Sequence, residues 1–138
     1  MKNSVHAVSQ LAAPLGRGLL ASIFIVSGIN KILGYSGTQA YMEAMGVPGF
    51  LLPVVIALEV AGGIAVLLGW QARLSAFLLA GFCVLSALLF HSNLSDQMQM
   101  LNFMKNLTIA GGFLMIVAHG AGKYSLDYYQ QSALEQRS

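Results

Sequence analysis

Glu59 is the single charged residue in an apolar run, residues 50–69. About 20 residues of helix cross the ~30 Å hydrocarbon core of a bilayer, and a charge near the middle costs roughly a few kcal/mol or more. Such a group is kept where something buried needs it: a cation, a proton path or a ligand. Two lysines with long flexible stems, Lys31 and Lys105, lie at the ends of other apolar runs and can reach inward from the same side. Pairing with either one offsets much of the desolvation cost of Glu59. Asn30, Asn106 and His91 fall near the same level. A carboxylate, an ammonium and these polar side chains together could pass a proton or hold the head group of a small lipid-soluble molecule such as a quinone. The same cluster could equally staple the helices in register, and residue chemistry alone leaves both readings open.

The elements that must position these groups are membrane helices. The chain has 138 residues, 57% of them hydrophobic and 9% charged, with a mean hydropathy of +0.70. Soluble domains carry about 25% charged residues, so this chain cannot coat a water-facing surface. Stretches 18–30, 50–69, 74–90 and 107–118 contain no charge but Glu59. Four spans are predicted at 15–33, 50–69, 74–91 and 103–119, giving one all-α, four-helix transmembrane domain over residues 1–138. Gly34, Gly37, Pro48 and Gly49 break the chain between the first two, and the 69–73 link is short enough to force a hairpin. Residues 92–102 read as a polar loop holding Asp96, and 132–138 as a short, frayed polar tail. The first run is bracketed by Arg17 and Lys31 with no clean cleavage site after it, so it is expected to be retained rather than removed as a signal peptide.

Positive charge sets the expected orientation. Four spans put both termini and the 69–73 link on one side, with Lys2, Arg17, Arg73, Lys123 and Arg137; the other side holds Lys31 and Lys105. Both termini are therefore expected to be cytoplasmic. Arg17 and Arg73 read as lipid-phosphate anchors or topology signals. Tyr35, Tyr41, Trp70, Tyr124, Tyr128 and Tyr129 fall at the expected interfaces, as an aromatic belt does.

Helical spacing then decides which residues meet. Glu59 shares a face with Gly62 and Gly63, and glycines mark close approach of a neighbouring membrane helix. Glu59 therefore points into the bundle. The first span offers Phe24, Ser27, Gly28 and Lys31 on one face. The fourth offers Lys105, Thr108 and Gly112, with Asn106 and Ala110 beside them. Gly28, Gly62, Gly63, Gly111 and Gly112 are the expected packing positions, and the paired glycines suit an oligomer interface as well.

Other chemistries find little support. Scattered Lys and Arg make no nucleic-acid stripe. Cys83, the one cysteine, cannot form an internal disulfide and reads as a small packing residue. His6, His91 and His119 are too far apart to ligate haem or a metal together. Met42, Met45, Met98, Met100 and Met104 read as interfacial packing rather than copper ligands.

Several motifs together are similar to one family. They are Arg17 with Ile23-Phe24-Ile25-Val26-Ser27-Gly28 and Lys31; Leu58-Glu59-Val60-Ala61-Gly62-Gly63 with Leu67-Leu68-Gly69 and Arg73; Lys105-Asn106-Leu107 leading to Gly111-Gly112; and Gly120-Ala121-Gly122-Lys123-Tyr124-Ser125-Leu126-Asp127. In this order and spacing they resemble the DoxX family of small four-helix bacterial inner-membrane proteins, over residues 15 to about 127. The resemblance implies a multi-pass plasma-membrane bundle with a charged cluster in its outer half. Some relatives are associated with thiosulfate:quinone oxidoreductase or other membrane oxidoreductase assemblies, but kinship of fold does not transfer chemistry.

The functional expectation is a membrane component of a redox or oxidative-stress system, as a subunit of a quinone-linked oxidoreductase if it is an enzyme at all. Glu59, Lys31 and Lys105 would be the reacting groups, and Asn30, Asn106 and His91 would contact the ligand. A quinone is the possible cofactor, with no metal or haem expected. The expected partners are the lipid bilayer, a membrane or redox protein, or further copies of the chain. The alternative is a non-catalytic scaffold or helper that stabilises partner membrane proteins. Transport is disfavoured, since four short spans without an inverted repeat leave little room for a pathway.

Overall fold

Backbone groups inside a bilayer have no water to bond, so an apolar run must satisfy them within itself as a helix or within a closed barrel. Every long apolar run in this chain is a helix. The computed structural model describes residues 1–138, apart from the side chain of Lys2. Helix α1 is Lys2–Leu33, α2 is Tyr35–Ala44, α3 is Leu52–Leu68, α4 is Ala72–Phe90, α5 is Gln97–His119 and α6 is Leu126–Glu135; a 3-10 turn at Gly49–Leu51 leads into α3. Among the described residues, four segments are long and apolar enough to cross a membrane: Asn3–Leu33, Gly49–Leu68, Ala72–Phe90 and Gln97–His119.

The boundaries differ from the sequence reading in physically simple ways. α1 continues back to Lys2, carrying His6 and Pro14, because residues 2–14 contain no turn-forming cluster. α5 starts at Gln97, where the Asp96 carboxylate accepts a hydrogen bond from Gln99 N at 2.9 Å. That aspartate is an N-cap rather than a loop residue. Helices α2 and α6 were not foreseen because both are too short and too polar to register as membrane spans. Ser125 caps the start of α6 by accepting from Tyr128 N.

α1 packs along α3 and α4 along α5, α3 joins the two pairs through α4, and α5 returns to α1. The small residues Ala21, Ala72, Ala76, Ala80, Cys83 and Ala110 are buried at these seams, letting backbones approach where lipid would otherwise compete equally for larger apolar side chains. Phe24 fills the centre, meeting Phe113 edge-on at 5.3 Å and Phe82 at 6.4 Å. Leu19, Leu74, Phe77, Leu88 and Leu114 point outward, as suits a lipid-facing surface.

One end of the bundle is locked by the glycine-rich stretch after α5. Arg17 is buried, contrary to its reading as a lipid anchor. Its guanidinium donates to the carbonyls of Val66 at 3.4 Å and Leu67 at 3.2 Å, and also to the carbonyl of Tyr124. It thereby serves Leu67 O, which the end of α3 leaves without a helical partner, and adds a second donor to Val66 O, which already accepts from Gly69 N at 3.1 Å. Arg73 does the same for α5, donating to Val117 O at 2.8 Å and Ala118 O at 3.1 Å. The Asp127 carboxylate accepts from Gln71 N at 2.7 Å and Ala72 N at 2.9 Å, capping α4 across the chain. Gly69 turns the hairpin at φ +67°, and a Cβ there would collide with Arg17 and Ser125.

Candidate functional site

The opposite end holds the charged cluster. Residues four apart on a helix face the same way, and Lys31 Nζ donates to Ser27 Oγ at 2.6 Å. Lys31 Nζ also donates to Glu59 Oε1 at 3.0 Å, and Ser27 Oγ donates to that same oxygen at 3.3 Å. The meeting of α1 and α3 depends on Gly28. A Cβ at this position would lie 2.5 Å from Val60 Cγ2 and 3.3 Å from Glu59 Cβ. Without a side chain there, α3 comes close enough for Glu59 to reach the lysine.

The ion pair is unequal. The Lys31 side chain is 25% exposed and that of Glu59 only 3%. Glu59 Oε2 is buried and has no hydrogen-bond partner among the described residues. An ammonium carries three donors, and the two bonds above use two of them.

Both residues line a cavity of about 480 Å³. Its walls are mainly apolar and aromatic: Phe24, Val55, Phe82, Leu85, Leu89 and Ile109. Its other polar groups are Thr38, Tyr41, Ser86, His91 and Asn106. Helix α2 contributes Thr38, Tyr41 and Met42, and the Tyr41 ring stacks on Phe90 with centroids 5.6 Å apart. An apolar cavity with a few convergent polar groups is the common form of a small-molecule site.

Of the groups the sequence singled out, the structure brings Lys31 and Glu59 together, with Asn106 and His91 on the wall of the same cavity. The Asn106 amide donates to Asn102 O at 3.1 Å. Lys105 and Asn30 are exposed and do not line it. At the glycines, a Cβ on Gly63 would meet Ile25 at 2.9 Å and one on Gly112 would meet Leu20 at 3.0 Å. Gly62 faces Leu79 at ordinary contact distance, and Gly111 has open space beside it. The sequence reading placed Ser27 on the Lys31 face but did not count it in the site. It overlooked Thr38, Tyr41 and Ser86: two ride on the unforeseen α2, and Ser86 is a lone hydroxyl in an apolar run. Among the described residues, no three His, Cys, Asp or Glu side chains gather as a metal set.

The sequence matches the DoxX family over residues 12–92. It is 55% identical over 113 residues to Inner membrane protein YqjF of Escherichia coli (strain K12), covering 82% of this chain and 87% of that protein. Inner membrane protein YphA of the same organism is 35% identical over 120 residues, 82% of this chain and 86% of YphA. A protein of Bacillus subtilis (strain 168) named "Putative oxidoreductase CatD" is 32% identical over 71 residues, about half of each chain at 51% and 53%. No solved structure shows significant similarity to the chain.

Proposed function

The chain belongs to the DoxX family, and from that premise we propose that this multi-pass inner-membrane protein serves a redox or oxidative-stress system by binding a quinone-like molecule beside Lys31 and Glu59. One observation carries the reading. Glu59, with one buried carboxylate oxygen left without a partner, and Lys31, with a donor to spare, line the same apolar cavity of about 480 Å³. A structural staple needs neither the free oxygen nor the cavity.

The residues suit a flat head group bearing carbonyl or hydroxyl oxygens. The remaining Lys31 N–H can donate to a carbonyl, and the Glu59 carboxylate can accept from a hydroxyl once it turns its buried Oε2 toward the cavity. Phe24 and Phe82 on the same wall can pack against a ring, and the aliphatic walls suit an isoprenoid or acyl tail. Ser27 holds both charged groups in place through its hydroxyl. A quinone, when bound, would supply the two-electron, two-proton chemistry that no side chain here provides. The partial match to CatD supports a redox setting, and the excess of Lys and Arg at the Arg17–Arg73 end supports cytoplasmic termini.

The test is native mass spectrometry with lipid extraction on the gently solubilised wild type and Glu59→Gln, followed by titration with a short-chain ubiquinone analogue. A quinone-class molecule retained by the wild type and lost from a folded Glu59→Gln protein is the expected result. If neither protein binds one and the variant merely melts at lower temperature, the pair is a staple. The helper reading would then hold, favoured by the way the pair ties α1 to α3.

A further inference from the structure

A second cavity, also about 480 Å³, lies at the other end of the bundle, where α4 begins and α5 ends. Its wall is polar and basic: Gln71, Arg73, His119, Lys123 and Gln131 line it, with Asp127 the sole carboxylate. Both Asp127 oxygens are taken by the amides of Gln71 and Ala72, so this carboxylate is already occupied in capping α4. Arg73 uses Nη1 on the carbonyls of Val117 and Ala118. Its Nε and Nη2 make no hydrogen bond among the described residues. These two nitrogens lie against Gly120, where a Cβ would sit 3.4 Å and 3.3 Å from them. Lys123 forms no ion pair among the described residues. The cavity therefore presents a guanidinium edge and a free ammonium, a pairing that fits the oxygens of a phosphate group.

Depth in the membrane says where such a phosphate comes from. α4 has 19 residues and is about 28 Å long, close to the ~30 Å hydrocarbon core. Its first turn, which lines the cavity, thus stands at head-group level. Exposed Leu74 and Tyr128 line it, and exposed Trp70 and Tyr124 adjoin its lining residues Gln71 and Lys123 in the chain, an aromatic and apolar set of the kind that marks the membrane interface. We propose that Arg73 and Lys123 form a site for the phosphodiester of an anionic phospholipid, seated between the α3–α4 hairpin and the glycine-rich turn after α5.

Trp70 is the one tryptophan of the chain and adjoins Gln71, so it reports lipid occupancy directly. The full-length protein is reconstituted in phosphatidylcholine vesicles containing brominated phosphatidylglycerol or brominated phosphatidylcholine, and Trp70 quenching is compared. Phosphatidylglycerol should be preferred by about thirtyfold, the factor given by ~1 kcal/mol for each of the two basic groups near an anionic head group. Lys123→Gln should cut the preference about fivefold, Lys123→Arg should keep it, and Lys105→Gln at the opposite end should leave it unchanged. Equal quenching by the two lipids in wild type overturns the proposal. So does a preference left unchanged by Lys123→Gln, or one cut equally by Lys105→Gln. If millimolar inorganic phosphate abolishes the preference while the Lys123 dependence holds, the phosphate chemistry stands and its source is the free anion. If phosphate has no effect, the source is the lipid.

Discussion

Lys31 meets Glu59 through one carboxylate oxygen, 3.0 Å away, and leaves the other buried without a partner. A pair evolved only to tie two helices would gain from engaging both oxygens. The half-used carboxylate and the cavity that Glu59 lines are the grounds for proposing binding there rather than a staple.

The same asymmetry predicts the effect of removing the lysine. Lys31→Met leaves a carboxylate in a 97% buried position with Ser27 as its one remaining donor. The expected loss is about 3 kcal/mol, at the low end for breaking a buried pair because Lys31 is partly exposed. Adding Glu59→Leu removes the stranded charge, so the double variant should be the more stable of the two. Thermal unfolding in detergent checks this, and a double variant less stable than Lys31→Met would refute it.

Arg17 joins the ends of α3 and of the turn after α5 through three carbonyls. Arg17→Met deprives Leu67 O and Tyr124 O of their donor, while Val66 O keeps Gly69 N, at a cost of about 2 kcal/mol. Arg17→Lys should recover little, because a single ammonium cannot span acceptors that the planar guanidinium reaches together. Unfolding titrated with a denaturing detergent should rank wild type well above both variants. A lysine variant equal to wild type would mean that charge alone matters at this position.

Asp127 caps α4 from a residue 55 positions away. Asp127→Ala should cost about 1 kcal/mol, as loss of an N-cap does, and should loosen the 69–73 link. Faster limited proteolysis within that link is the expected signature, with cleavage elsewhere unchanged. An unaltered cleavage pattern would show that Gly69 and Arg17 hold the hairpin without the cap.

How far the sequence could be read follows from the range of each signal. The four membrane helices were legible because charge is absent over whole spans, and a bilayer tolerates little else. Glu59 and Lys31 could be singled out because each is anomalous for its depth. Choosing Lys31 over Lys105 as the partner needed the rotation of α5, which leaves Lys105 exposed, and a weakly patterned span does not encode that rotation. Arg17 misled for a related reason. An arginine near the end of an apolar run looks like a lipid anchor unless the carbonyls it serves are known, and those come from residues 66, 67 and 124. The cover that α2 provides is not legible because ten residues, most of them polar or small, are too short a stretch to register as a span.

Gly28 offers the sharpest test of how packing makes the site. An alanine there places a methyl 2.5 Å from Val60 Cγ2, a distance that side chains do not tolerate, so either Val60 leaves its rotamer or α1 and α3 separate. Overpacking of this kind costs about 1–3 kcal/mol. Separation also lengthens the path from Lys31 to Glu59, since Glu59 and Val60 are neighbours on the displaced face. Gly28→Ala should therefore lower both the melting temperature and the retention of any ligand bound beside Glu59. Val60→Ala removes the clashing methyl, so in the double variant the two changes should be less than additive, with stability and binding recovering together. Recovery of stability alone would mean that the site tolerates a shifted helix pair and that Gly28 serves the fold rather than the cavity.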